Sequence, residues 1–131
     1  MDHTLTVELM HNGTFPTLPL FAVKNDILGK KYALSVVCVR APQSEKLHQQ
    51  FKHKDGPADI LSFPFEKDSG EIILHLPSIR AKAASYDRTF HEHLLFILIH
   101  GCLHLKGFTH GSKMETEERK YYKKYLPMID R

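Results

Sequence analysis

The sequence predicts an α/β (α+β) fold, in which a single layer of about four mixed strands packs with about five helices around one central helix. The chain has 131 residues and a hydrophobic content of 42%, which suits one compact domain over residues 1–131 with its own core. Runs rich in β-formers alternate with segments of helical spacing, and this mixed order favours an α/β layer.

The first half of the chain supplies two strands and two helices. Thr4 to Met10 alternates like a strand, and Leu18 to Leu28 has helical spacing before a glycine. Tyr32 to Val39 contains the run V-V-C-V, typical of a strand that is buried on both faces between parallel neighbours. Ser44 is a candidate cap for a short helix that continues through Lys52.

Two more strands and a helix follow. Asp59 to Phe63 and Glu71 to Leu76 are rich in β-formers and are separated by a short P-F-E-K-D-S-G segment. A connection of this length predicts an antiparallel pair. Ser78 to Ser85 is then predicted to form another helix.

Two capping boxes are predicted in the last third of the chain. Thr89-x-x-Glu92 precedes a strongly apolar segment that ends near Lys106, and its apolar positions surround the helix axis, so we expect this helix to be central. Ser112-x-x-Glu115 has the same spacing and predicts the start of a final, charged helix.

Charge and cysteine content narrow the class of protein. Lys and Arg number 18 against 15 Asp and Glu, a net charge of +3, which permits a nucleic-acid partner without requiring one. Cys38 and Cys102 sit in apolar runs outside any C-x-x-C pair, which predicts buried thiols in a reducing compartment. No apolar run has membrane length and the N-terminus does not resemble a signal peptide, so a cytoplasmic protein is expected.

The segment from His100 to His110 reads H-G-C-L-H-L-K-G-F-T-H and predicts a metal site. His100 and His104 are four residues apart, so on a helix they share one face. Gly107 permits a left-handed turn that can bring His110 back toward them. Three histidines with one position left for water are the ligand set of catalytic Zn²⁺.

Chance and a structural role are the alternatives to this metal site. With ten histidines in the chain, about 0.7 H-x-x-x-H pairs are expected at random, but only about 0.003 copies of the full pattern with its glycine. The structural alternative is a histidine-rich helix end whose imidazoles cap carbonyls near the negative helix terminus.

A zinc peptidase is a further alternative, because the spacing H-x-x-x-H-x-x-G-x-x-H also occurs in metzincins. Those enzymes use a glutamate directly after the first histidine as general base, and here that position is Gly101. The peptidase interpretation therefore lacks its main supporting residue.

A cluster of cations precedes the third predicted strand, in the segment F-K-H-K-D-G-P-A-D-I-L-S-F-P that runs from Phe51 to Pro64. It would suit an anionic substrate. Charge pattern alone, however, favours a solvated basic loop.

These motifs together resemble the YbeY-type endoribonucleases, a family of ribosomal RNA maturation factors, over roughly Leu47 to Tyr125. The matching parts are the histidine segment, K-D-G-P-A-D-I-L-S-F-P at residues 54–64 and G-E-I at residues 70–72. The resemblance implies a single-domain, metal-dependent RNase specific for single strands, which trims the 3′ end of small-subunit ribosomal RNA and acts in ribosome quality control. It also implies that His100, His104 and His110 are the zinc ligands.

Five positions depart from the family pattern, of which Ala58 stands where threonine is common and His48 where asparagine is common. Lys52 stands where the family usually has arginine, and a lysine is a point charge without the planar fork that holds two phosphate oxygens. Thr109 replaces an aspartate before the third histidine, which can alter the hydrogen bonding that orients a ligand. Glu71 replaces the aspartate of G-D-I.

The resulting hypothesis is that one Zn²⁺, held by three histidines, polarises a phosphodiester oxygen and lowers the pKa of a bound water. The water attacks phosphorus, while Lys52 acts as a catalytic cation that offsets the developing charge. Glu71 is the nearest carboxylate by motif, but a surface role for it is equally consistent, so the general base is unassigned. The expected partners are single-stranded RNA or ribosomal RNA and the ribosome or its small subunit, and a monomer without membrane contact is expected. A zinc metalloprotease and a non-catalytic, zinc-stapled ribosome-binding factor remain the rival classes.

Overall fold

The computed structural model describes residues 4–9, 15–40, 49, 52–53, 56–57 and 59–129, and for residues 52–53 and 56–57 it describes the backbone. The strands are β1 (Leu5–Leu9), β2 (Ala33–Val39), β3 (Lys52–His53), β4 (Gly56–Pro57), β5 (Ile60–Glu66) and β6 (Ser69–His75). The α-helices are α1 (Leu20–Leu28), α2 (Leu76–Ala83), α3 (Phe90–Lys106) and α4 (Ser112–Tyr125). Short 3₁₀ turns follow α2 at Ala84–Tyr86 and α4 at Leu126–Met128.

Four of the strands form one mixed sheet in the order β1-β2-β6-β5. The strand β2 is parallel to both β1 and β6 and is buried over most of its length, as its continuous apolar run predicts. The strands β5 and β6 form the predicted antiparallel hairpin. Pro64 lies on the edge strand β5 beside a register shift, a place where its missing N–H is tolerated.

The helix α3 is the centre of the molecule. It contacts α1, α2, α4 and β5, and its apolar residues pack between the sheet and the other helices in the main core. The sequence predicted this central position from apolar residues that surround the helix axis. The fold class is confirmed.

Of the two capping boxes predicted at helix N-termini, one is present in the structure and the other is not. Thr89 and Glu92 form the predicted capping box, with both reciprocal hydrogen bonds. The second predicted box is wrong: Ser112 is already the first residue of α4, Gly111 is the N-cap, and no side chain caps this end.

The predicted short helix from Ser44 through Lys52 lies mostly outside the described residues. Gln49 is helical, but Lys52 belongs to β3, which pairs with β4 as a separate two-stranded hairpin. The helix therefore does not extend as far as predicted. The described part of the chain holds four α-helices instead of about five, and none of them has the length and apolar character needed to cross a membrane.

Candidate metal centre

The last two turns of α3 carry the first two histidines of the predicted site. His100 and His104 are one turn apart, and their Nε2 atoms face each other at 3.1 Å. Both rings are half-buried. The opposite face of the same turns enters the core, where Cys102 is fully buried with a free thiol, as predicted.

The third histidine is brought back by a left-handed turn at Gly107. This residue has φ 112° and ends α3, and its N–H donates to the carbonyl groups of Leu103 and His104. The His110 ring centroid then lies 5.4 Å from that of His100 and 5.0 Å from that of His104. One ligand nitrogen from each of the three residues, which we call the histidine cluster, lies within 4.8 Å of the other two.

Two hydrogen bonds orient the buried pair of rings. Nδ1 of His100 donates to Oε2 of Glu118 on α4, and Nδ1 of His104 donates to the carbonyl oxygen of Phe108 at 3.1 Å. Each bond leaves the proton on Nδ1 and the lone pair on Nε2. Ligand histidines are commonly fixed in this tautomer by a carboxylate or a carbonyl group.

The geometry fits a transition-metal ion. Two nitrogens bound to Zn²⁺ at tetrahedral angles lie about 3.4 Å apart, close to the 3.1 Å between the Nε2 atoms of His100 and His104. Burial and the neighbouring His100 lower the pKa of His104 below its usual value, against the opposing effect of the bond to Phe108. A lowered pKa keeps the ring neutral, as ligation requires.

Glu118 is a site residue that the sequence reasoning missed. It is 7% exposed and lies in the buried stripe of α4 with Met114, Tyr121 and Tyr125. A carboxylate within an otherwise apolar stripe needs a partner. A glutamate at a buried position of α4 could therefore have been noticed in the sequence. The pattern alone does not identify His100 as its partner.

The histidine cluster opens into a cleft of about 490 Å³, within the usual size range of ligand sites. One wall is the edge strand β5 with Ile60, Leu61, Ser62 and Pro64, and the other is the turn from Leu105 to His110. An open, half-polar cleft of this kind can admit an extended polymer beside a metal ion.

Gly101 lies against the sheet, next to residues of β5 that form one wall of the cleft. A Cβ at this position would be 2.6 Å from Cδ1 of Ile60 and 3.1 Å from Cδ1 of Ile72. A glutamate at position 101 would collide with the side chains of Ile60 and Ile72. The absence of a peptidase base is therefore built into the packing of α3 on β5 and β6.

Glu71 does not lie with the histidine cluster. On β6 the neighbouring positions Gly70 and Ile72 face α3, so the alternation of the strand turns Glu71 to the opposite side of the sheet. There it accepts a hydrogen bond from the Ser35 hydroxyl at 3.3 Å. This placement removes Glu71 as a candidate base.

Of the other departures from the family pattern, His48 and Ala58 lie outside the described residues, and Thr109 and Lys52 are placed as follows. Thr109 is exposed and lines the cleft, so a shorter, uncharged side chain replaces a carboxylate beside the cluster. Lys52 lies in β3, and its side chain is outside the described residues. Its catalytic role stays a prediction.

Comparison with known proteins identifies relatives over most of the chain. Residues 11–126 match the family model described as Endoribonuclease YbeY. Proteins with that name from Colwellia psychrerythraea and Halalkalibacterium halodurans are 34% and 30% identical, over 66% and 93% of this chain. The matched part spans 61% of the former relative's length and 86% of the latter's. A solution structure of a Thermotoga maritima protein superposes with a TM-score of 0.63 at 27% identity, and covers 95% of this chain and 90% of that one.

Proposed function

Because the chain belongs to the YbeY endoribonuclease family, we propose that its histidine cluster binds one Zn²⁺ ion and that the protein hydrolyses phosphodiester bonds in single-stranded RNA. The observation that carries the proposal is the pair of facing Nε2 atoms at the floor of an open cleft, 3.1 Å apart. Three histidines leave a coordination position for water or substrate.

When bound, zinc supplies a Lewis acid and lowers the pKa of a coordinated water. The protein's own groups prepare the site for this chemistry. Glu118 and the Phe108 carbonyl hold the imidazoles of His100 and His104 in one tautomer. The packing of β5 against α3 places an uncharged wall opposite the histidines, which leaves room for the RNA backbone.

We assign Lys52 to the stabilisation of negative charge on the phosphate. The hairpin of β3 and β4 directly precedes β5, the strand that forms the cleft wall. A lysine in place of arginine offers one point charge instead of a bidentate fork, so slower turnover than in a relative with arginine is expected. With Glu71 on the other side of the sheet, no carboxylate of the protein is assigned as general base.

The proposed substrate is ribosomal RNA, at the 3′ end of the small-subunit RNA, with a further role in ribosome quality control. This finer assignment is supported by family membership and is compatible with the net charge of +3. We place the protein in the cytoplasm as a monomer. The two buried, free cysteines suit a reducing compartment.

Cleavage of a single-stranded ribosomal RNA fragment tests this function. His104→Ala and Lys52→Ala proteins should lose most activity, whereas His91→Ala, which removes a histidine of α3 outside the cluster, should cleave like the wild type. Wild-type rates in both of the first two variants would contradict the proposal. If chelation lowers the melting temperature while even the wild type shows only background turnover, the non-catalytic zinc staple is the better description.

A further inference from the structure

A second cavity lies beside the metal cleft, where the end of α1, the β5–β6 turn and the end of α3 meet. Its volume is about 360 Å³, and we call it the turn cavity. The residues that line it include Asn25, Tyr32, Lys67, Asp68, Leu105 and Lys106.

The turn cavity and the metal cleft are neighbours. Leu105 lines both of them, and it follows the ligand His104 directly in the sequence. A strand of RNA held at the histidine cluster would pass over Leu105 to enter the turn cavity.

Two lysine side chains lie at the opening of the turn cavity. Lys67 and Lys106 are both exposed, and neither makes an ion pair within the described part of the chain. Asp26 also lines the cavity, but its carboxylate is bound by Lys124 at 2.6 Å and by the Tyr125 hydroxyl at 2.7 Å. The two free lysines are thus available for a phosphate.

The inner wall of the turn cavity includes the polar residues Asn25 and Tyr32. Oδ1 of Asn25 accepts from the buried Lys24 ammonium at 3.0 Å, which leaves the amide N–H₂ to face elsewhere. The Tyr32 side chain is 6% exposed, and its hydroxyl has no hydrogen-bond partner among the described residues. The hydroxyl therefore has unused hydrogen-bonding capacity within the wall of the cavity.

Space for that hydroxyl depends on Gly70. A Cβ there would overlap the Tyr32 oxygen. Burial, with smaller effects of Cys102 and Asp68, raises the pKa of Tyr32, so the hydroxyl keeps its proton and can donate.

Asp68 is the hydrogen-bond acceptor of the turn cavity. Its side chain is exposed and makes no ion pair within the described residues. A carboxylate next to donors and cations is suited to a ribose, because a 2′-hydroxyl donates to a carboxylate while the adjacent phosphate binds lysine. The 2′-hydroxyl is also the group that distinguishes RNA from DNA.

We propose that the turn cavity binds the ribose and phosphate of the nucleotide next to the one at the histidine cluster. Lys67 and Lys106 contact the phosphate, and Asp68 accepts a hydrogen bond from the 2′-hydroxyl. This subsite rests on the proposed nuclease function. It gives the protein a means of preferring RNA over DNA at a point away from the metal.

Binding of cleavage-resistant oligonucleotides to the zinc-loaded protein tests the subsite. The probes are fluorescein-labelled phosphorothioate hexamers of uridine and of deoxyuridine, and anisotropy gives each Kd. Asp68→Ala should weaken RNA binding about tenfold, the size of one lost charged hydrogen bond, and should not weaken DNA binding. The Lys67→Ala, Lys106→Ala double variant should weaken both and reduce the slope of log affinity against log salt by about 1.4, or 0.7 for each contact.

Lys123→Ala is the matched control, since it removes one exposed lysine on the side of α4 opposite its buried stripe. An unchanged RNA preference in Asp68→Ala, or a salt slope in the double variant equal to that of the control, would overturn the subsite. If the wild-type protein still cleaves the unmodified uridine hexamer, only the subsite is contradicted and the proposed nuclease function stands. A wild type that neither binds nor cleaves it overturns both.

Discussion

The contact between His100 and Glu118 joins a site residue on α3 to a buried carboxylate on α4. The carboxylate stabilises the Nδ1 proton, fixes the ring orientation and raises the basicity of Nε2. Glu118 would be costly at 7% exposure without such a partner. The pair therefore serves both the packing of α4 and the metal site.

Glu118→Gln should lower zinc affinity by about 10- to 100-fold, because the amide keeps the shape but not the charge that orients His100. Competition with a chromophoric chelator measures the affinity. Glu117→Gln is the control: its neighbouring carboxylate is paired with Lys120 and does not contact the cluster. Equal zinc affinities for the two variants would show that Glu118 does not act through His100.

Gly101 is a second residue whose role is set by close packing. Gly101→Ala should destabilise the protein by about 1 kcal/mol. The added methyl group meets Ile60 and Ile72 at a cost of about 1 to 3 kcal/mol, and the higher helix propensity of alanine offsets about 1 kcal/mol of it. Thermal unfolding followed by circular dichroism measures the change. A melting temperature equal to that of the wild type would mean that α3 can move away from the sheet at no cost.

Residue identities at the site were predictable to different degrees. The three histidines could be found because spacing along one helix and a glycine turn are local features of the sequence. Glu118 could not, because it lies 18 positions from His100 and meets it only through the packing of α3 on α4. The role of Glu71 had to be left open for a related reason, since a motif gives proximity in sequence but not the face of a strand.

The secondary-structure elements show the same division between local and non-local causes. The hairpin of β5 and β6 follows from two β-rich runs and a short connection, and β2 from its continuous apolar run. The strand β3 has two residues and exists through its pairing with Gly56 and Pro57, so local propensity could not distinguish it from the end of a helix.

The beginnings of α3 and α4 give a direct test at this scale. Thr89→Ala should cost about 1 kcal/mol, because its hydroxyl accepts from the Glu92 N–H at 3.2 Å and caps α3. Ser112→Ala is the matched control, since Ser112 has the same sequence pattern but its side chain caps nothing. Urea unfolding should separate the two, and equal losses would contradict the assignment of caps.

At the scale of the whole molecule, the single helix α3 contributes both to the hydrophobic core and to the histidine cluster. Its middle turns are buried in the main core, and its last turns present two histidines to the cleft. A metal ion bound there would tie the end of α3 to the loop that carries His110. Ligand affinity and global stability are therefore expected to be coupled.

Chelation should lower the melting temperature by roughly 10 °C, since free zinc at about 100 times its Kd contributes about 2.7 kcal/mol. This stabilisation should weaken as pH falls below about 6.5, where protonation of imidazoles competes with zinc.

The metal-free protein should also lose stability as pH falls. The lowered pKa of His104 and of the buried His93 means that the unfolded chain binds more protons there, so stability is present above the unfolded pKa and is lost below it. Scanning calorimetry at pH 7.5 and 5.5, with and without zinc, measures both effects. A zinc effect that persists in His104→Ala, or that grows toward acid pH, would contradict this coupling.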